Sequence, residues 1–422
     1  MEKGQRSLQK CLINSQYSKN RKQDKIIRIV ALYFVITQVL SVLRATAIYN
    51  TSYFNNYFRI AISSICILFF ISSFSIMASI YTICEVLLLL IPFLDLVIGF
   101  VNEQVGRDFF SDFFNALTFV LILMYYRSHP NCVSRSDLHY LARWELIGTI
   151  FSLVTYKIFP LIGYPIKSVG MVSNFLLFPL SYFLAYKSKW WIATAIVILI
   201  GGKRGVMISA GVIICYYLAF DKRRGGRSVL AIVSITIFLF AGIYFTKSPE
   251  NIALLPSNMQ RVAQRFMRVN PFSEYMDLHS DGRLDEIEGA LRKFELNPIN
   301  ILFGKGNGYV YNTYHDGQLS VENNHNVHFT PVSFLTRYGV IYMIAFYIDY
   351  IWILIKSTKI IRRKENHQFI MCITLYLVGT FIDQFTVFLP YSDYQFMICL
   401  GLMNGILLYN YDCEETNNET LY

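Results

Sequence analysis

The sequence predicts an all-α, polytopic integral membrane protein of about twelve transmembrane helices with one large, mainly helical loop outside. Three observations carry this. Hydrophobic residues make up 54% of the 422-residue chain, above the ~45–50% of soluble domains on a count that also includes Gly. The mean hydropathy is +0.40. Apolar blocks of spanning length recur along nearly the whole chain, and crossing ~30 Å of hydrocarbon takes about 20 residues at ~1.5 Å each. That recurrence argues for one membrane domain over the several soluble domains otherwise expected at this length.

The elements follow in order. A basic tail occupies residues 1–25. Nine spans fall within 26–246, at 26–43, 59–78, 81–100, 112–126, 145–162, 168–186, 190–200, 205–220 and 228–246. The tract from Ile60 to Phe100 is unbroken and is divided near Ser79, because it is too long for one span. A hydrophilic loop covers 247–331, three spans follow within 332–410 (332–355, 368–388 and 394–410), and a tail ends the chain at 411–422. The basic N-terminus runs into the first span without a small-residue cleavage site, so no cleavable signal peptide is expected.

Lys and Arg set the orientation, because they accumulate in short cytoplasmic loops. With the N-terminus inside, the tail and the loops 127–144, 187–189, 222–227 and 356–364 carry 21 of them, against six in the short outside loops (Arg44, Arg59, Arg107, Lys167, Lys203 and Arg204). Both termini are therefore expected in the cytoplasm. The formal charge of +10 becomes a topology signal, not a nucleic-acid footprint. None of the eight Cys falls in an outside loop, so disulfides are not expected, and no Cys/His spacing resembles a metal site.

The 247–331 loop holds eight Lys/Arg and ten Asp/Glu. Loops this long are uncommon unless functional or disordered. Leu284, Ile287, Leu291 and Phe294 mark one face of a helix of about fifteen residues that opens near Ser280/Asp281 and stops at Asn297-Pro298. A second short helix is expected over Asn258–Val269.

Charges at span edges are costly and point to function. Gly201-Gly202-Lys203-Arg204-Gly205 lies between two apolar spans on the outer face. Its glycines permit close approach of a ligand, and a guanidinium there suits a phosphate. The alternative is a basic loop snorkelling into headgroups. Gly282-Arg283 opens the loop helix, where Arg283 is either a ligand contact or a solvated cation beside Asp281 and Asp285. Arg261, Arg265 and Arg268 form a cationic stripe suited to anionic headgroups. Glu322-Asn323-Asn324-His325-Asn326-Val327-His328 precedes the span opening at Val332. A His there can take a proton from a hydroxyl. His325 and His328 have the spacing to share a metal, but no third ligand is evident. Gly304-Lys305-Gly306-Asn307-Gly308 lacks the context of a nucleotide fingerprint and reads as a turn.

Together these motifs resemble the O-antigen polymerase (Wzy-type) and O-antigen ligase superfamily of bacterial membrane glycosyltransferases. That family has about a dozen spans and a large periplasmic loop late in the chain. Arg204 to Ile208 matches its R-x-x-x-L element with Ile for Leu, and Arg283 matches its second Arg. His328 stands eleven residues before Gly339, the family's spacing, although Phe329 follows where the family has Asn, Ser or Gln. His325-Asn326 has the right dipeptide but lies fourteen residues from Gly339, so His328 is preferred. Tyr342 replaces the second Gly of the ligase pattern, which favours polymerase.

The resemblance implies joining of undecaprenyl-diphosphate-linked oligosaccharide repeat units, donor and acceptor, at the outer face of the bacterial inner membrane. No cofactor or metal is implied. Arg204 and Arg283 would stabilise the diphosphate and His328 would act as base. His325, Asn326, Lys203, Lys305 and Arg337 are the candidate substrate-binding residues, and Tyr309, Tyr311, Tyr314 and Phe329 either stack on sugars or anchor the interface. Membrane lipids and a chain-length regulator are the further partners expected; nucleic acid is not. The rival readings are a ligase acting on lipid A core, a flippase or secondary transporter, and a non-enzymatic scaffold. Transporters show inverted repeats and midplane charges, and the few span charges (Glu85, Asp95, Asp349, Asp383) are not arranged as a repeat.

Overall fold

The computed structural model describes residues 25–45, 64, 82–106, 108–161, 174–201, 203–220, 242, 244–255, 260, 263–264, 267, 283–315, 317–325, 327–363, 368–386, 390–391 and 393–409. It is mostly helical, 79% helix with little strand. The helices are α1 (Lys25–Ala45), α2 (Ile83–Val101), α3 (Phe109–Ser128), α4 (Arg135–Leu161), α5 (Leu177–Ala185), α6 (Trp190–Gly201), α7 (Arg204–Phe220), α8 (Pro249–Ala253), α9 (Arg283–Phe294), α10 (Pro298–Phe303), α11 (Thr330–Arg363), α12 (Gln368–Asp383) and α13 (Tyr394–Tyr409). Strands β1 (Tyr311–His315) and β2 (Gln318–Asn324) pair antiparallel.

Among the described residues, three helices are long and apolar enough to cross a membrane: α2, α3 and most of α11. Shorter apolar stretches lie in α1, α6, α7, α12 and α13. Local chemistry sets several ends. Thr82 and Glu85 form a reciprocal capping box at the start of α2. Ser134 and Asp137 do the same for α4, with Ser134 N–H donating to Asp137 at 2.9 Å. That cap starts α4 ten residues before the expected span at 145–162, so the expected 127–144 loop shrinks to 129–134. Arg127, read as a cytoplasmic loop charge, instead lies buried in the last turn of α3, ion-paired with Glu85. An unpaired charge there would cost several kcal/mol of desolvation. The expected span at 59–78 and nearly all of that at 228–246 lie outside the described residues.

The bundle core between α3, α11, α12 and α13 is aromatic. Phe334 packs edge-on against Tyr342 and Phe346, and Tyr391 meets Phe119, Phe334 and Tyr338.

The loop helix α9 runs twelve residues, with 280–282 outside the described residues, as is most of the expected 258–269 helix. It ends as predicted before Asn297-Pro298, where the Asn297 side chain accepts from Asn300 N–H at 2.8 Å and starts α10. The β1–β2 hairpin was not predicted. Its register shifts at Tyr311/Thr313 and Thr313/Tyr314, and β2 is exposed at nearly every position, so no two-residue hydrophobic period marks it. Helix α9 packs on β1 over a small core of Ala290, Tyr309, Tyr311 and Val327.

The loop is fastened to the bundle by backbone. Helix α11 breaks at Gly339, where φ is 77° and ψ 175°. A break frees carbonyls that the next helical turn would otherwise engage. Two of them, Thr336 O and Arg337 O, accept from Lys305 N–H (2.9 Å) and Gly306 N–H (3.0 Å). Gly304 (φ 76°) and Gly339 cross so closely that a Cβ on Gly304 would overlap the Arg337 carbonyl, and one on Gly339 the Leu302 carbonyl. The Gly304–Gly308 turn therefore acts as a fastener. Asn307 N–H donates to Asp95 O at 3.2 Å, and Asn102 Nδ2 to Lys305 O at 3.1 Å.

Candidate functional site

Where the loop meets the bundle, α9, the start of α7 and the end of α12 bring charges together. Arg204 opens α7 directly after Lys203. Gly205 lies against α12, where a side chain would overlap Thr386 and press on Asp383. Burial lowers the Lys203 ammonium's proton affinity, the Asp383 carboxylate opposes that, and the Arg283 cation adds to it. Lys203, Asp383 and Arg283 thus share one field, and Arg204 stands at the same edge between Lys203 and Gly205.

From Arg283 the polar chain continues to His328. Arg283 Nη1 lies 3.5 Å from Glu286 Oε2, one turn along α9. Glu286 accepts the His328 backbone N–H at 3.1 Å. It also accepts from His328 Nδ1, at 3.0 Å through Oε1 and 2.9 Å through Oε2. With Nδ1 donating, Nε2 is the basic nitrogen, and the side chain is 42% exposed. Burial pushes the Glu286 carboxyl up to about 7, against the downward pull of Arg283. Among the described residues, the buried atoms Arg283 Nη1, Tyr311 Oη and Asp383 Oδ2 meet no hydrogen-bond partner.

His325 belongs to a different cluster. Its Nδ1 lies 3.2 Å from Tyr309 O and its Nε2 3.0 Å from Asp112 Oδ1. Arg337, 1% exposed, lies 3.5 Å from Asp112 and donates to the His325 carbonyl. Asp112 Oδ2 accepts from Gly308 N–H at 2.9 Å. Lys305 pairs with Glu295 at 2.6 Å. Of the residues singled out by sequence, Arg283 and His328 are linked through Glu286 and Lys203 lies within electrostatic reach of Arg283, whereas His325, Arg337 and the Lys305 backbone hold the loop to the bundle. Asn326 lies outside the described residues, as do Arg261, Arg265 and Arg268. Tyr309 and Tyr311 are packed inside the loop's own core, so neither ring is a platform for a sugar. Phe329 pairs with Phe385, which is 42% exposed. Arg292 stands over the Tyr314 ring, 5.5 Å from its centroid.

Sequence reasoning missed Glu286. Its signal was its place three residues after Arg283, which puts both on one helical face. Asp383 was noted only as a charge near a span edge, and Asp112 not at all. Among the described residues no three His, Cys, Asp or Glu stand where they can share a metal ion, and His325 and His328 turn to different carboxylates. A separate cleft of about 260 Å³ lies at the first turns of α1 and α4, lined by Arg28, Asp137, His139, Tyr140, Arg143 and Trp144 among others. It contains none of the predicted site residues.

Residues 189–347 match the family model described as O-Antigen ligase. That stretch contains Lys203, Arg204, Arg283, Glu286 and His328. No curated protein and no solved structure matches the chain.

Proposed function

We propose, from the premise that residues 189–347 carry an O-antigen ligase family domain, that this chain is a metal-independent membrane glycosyltransferase that polymerises lipid-linked oligosaccharide repeat units. The family's members are glycosyltransferase-like enzymes, polymerases or ligases. The observation that carries the reading is one contact chain. The Glu286 carboxylate holds the His328 imidazole at 2.9 Å and lies 3.5 Å from the part-exposed Arg283 guanidinium, in the interface between loop and bundle.

The chemistry follows from those groups. The acceptor hydroxyl oxygen attacks the anomeric carbon of the donor. The anomeric C–O bond breaks, and its electron pair leaves with undecaprenyl diphosphate. His328 Nε2 takes the hydroxyl proton. Arg283 and Arg204, with Lys203 beside them, hold the charge that develops on the diphosphate in a site of low dielectric. Both substrates are amphiphiles, so a site where lipid and folded loop meet serves both parts.

In this reading the chain crosses the bacterial inner membrane about twelve times, with both termini cytoplasmic and the 247–331 loop outside. Tyr342 in place of the ligase pattern's second Gly supports the polymerase over the ligase. Loss of the gene separates the readings. A polymerase mutant leaves single repeat units on lipid A core, a ligase mutant leaves core without polysaccharide, and a flippase mutant accumulates units facing the cytoplasm. Arg204→Ala, Arg283→Ala and His328→Ala are each expected to abolish polymer while the protein stays membrane-inserted. Unchanged polymer length in all three rejects the site.

A further inference from the structure

We infer that Glu286 is a positioning residue that couples donor binding to the strength of the base: diphosphate capture by Arg283 leaves the Glu286 carboxylate to His328 alone. The inference rests on the transferase reading above and concerns the order in which its parts act.

Three observations support it. First, Glu286 holds His328 at two points, the main-chain N–H and Nδ1, so the imidazole is fixed with Nε2 outward. A carboxylate placed this way fixes the tautomer and stabilises the imidazolium that forms on proton capture. Second, the same oxygen, Oε2, is the one nearest Arg283 Nη1, and at 3.5 Å that contact is longer than a hydrogen bond. A diphosphate offers this guanidinium a bidentate, shorter pair. Third, burial sets Glu286 at about 7, with Arg283 as its opposing influence, so moving Arg283 changes proton affinity where the enzyme works.

Among the described residues the surrounding charges are few. Arg283 shares α9, Tyr311 faces Glu286 from β1, and Arg337 of α11 lies beyond Tyr311. Lys203, before α7, and Asp383, of α12, lie beyond Arg283. Of these, Arg283 is the charge that acts on Glu286, because interactions weaken with distance. When Arg283 turns to the donor, the Glu286–His328 pair loses its nearest cation and gains an anion nearby. Its proton affinity rises, and the base is strongest in the complex that needs it. The pair titrates as a unit.

The test uses the full chain in proteoliposomes, with a synthetic undecaprenyl-diphosphate-linked oligosaccharide as substrate and undecaprenyl diphosphate as binding probe. In the unmodified protein the acid limb of kcat is expected at higher pH than that of kcat/KM, since the first reports the complex and the second the free enzyme. In Glu286→Gln the two limbs should coincide at lower pH, with kcat down about 10–100-fold and probe affinity within about twofold. Glu286→Asp should restore part of the rate and of the separation, and it serves the comparison if the Gln variant fails to fold. Coincident limbs in the unmodified protein, or an unchanged separation in Glu286→Gln, overturn the coupling. Failure of the transferase reading looks different: His328→Ala keeps transfer activity, or Arg283→Ala binds the probe as before.

Discussion

Two histidine–carboxylate pairs stand where the loop meets the bundle, three residues apart in sequence, and they are built to opposite ends. At His325 both ring nitrogens lie beside oxygens, and Asp112 is already engaged by Arg337 and the Gly308 amide. At His328 one ring nitrogen is held by Glu286, and the His328 and Arg283 side chains are both part-exposed. Both clusters carry one imidazole, one carboxylate and one guanidinium. The difference is exposure: the His325 and Arg337 side chains are 16% and 1% exposed, whereas those of His328 and Arg283 are 42% and 39% exposed, so the enclosed cluster fastens and the open one can meet a ligand. Residue type alone does not separate the two.

The comparison can be broken or sharpened by variants. The largest effect is expected at the open pair. His328→Ala should lower transfer by about 10²–10⁴-fold, the share a general base supplies, with an unchanged unfolding temperature in detergent. His325→Ala should do the reverse. Equal loss of rate in both would erase the distinction. Next is Arg337→Met in the closed cluster, which leaves Asp112 buried without its guanidinium and should cost about 3–5 kcal/mol of stability, read by denaturation of the solubilised protein. A smaller effect comes from Glu286. Its folded carboxyl sits at about 7 against 4.5 for an ordinary one, so its contribution to stability is full below pH 4.5 and is lost as pH rises through about 7. Stability measured from pH 5 to 8 should therefore fall less steeply in Glu286→Gln. The smallest is Glu295→Ala. That carboxylate is 71% exposed, so losing its pair with Lys305 should leave the unfolding temperature unchanged, as for exposed ion pairs generally.

Much of this was legible beforehand, for identifiable reasons. Lys203 and Arg204 stood out because basic residues are disfavoured on the outer side. Arg283 and His328 stood out because each sits at the edge of a predicted helix. Glu286 was hidden because a carboxylate on an amphipathic loop helix reads as a solvated face. Whether a side chain is enclosed depends on contacts such as Asp112 to His325, 213 positions apart, which no local pattern records. The hairpin escaped because β2 lies exposed and its pairing is irregular. The early start of α4 was readable from Ser134-x-x-Asp137, a capping signature, but hydropathy drew attention to the apolar block downstream.

The crossing of Gly304 with Gly339 bears on how the protein is made. A helix interrupted inside an apolar bundle needs donors for its freed carbonyls, and here they come from Lys305 and Gly306, translated some thirty residues earlier. The helix over Thr330–Arg363 thus reaches its final hydrogen bonding only once the Gly304–Gly308 turn has docked on it, so a fault in the turn leaves polar backbone of the helix unpaired as well.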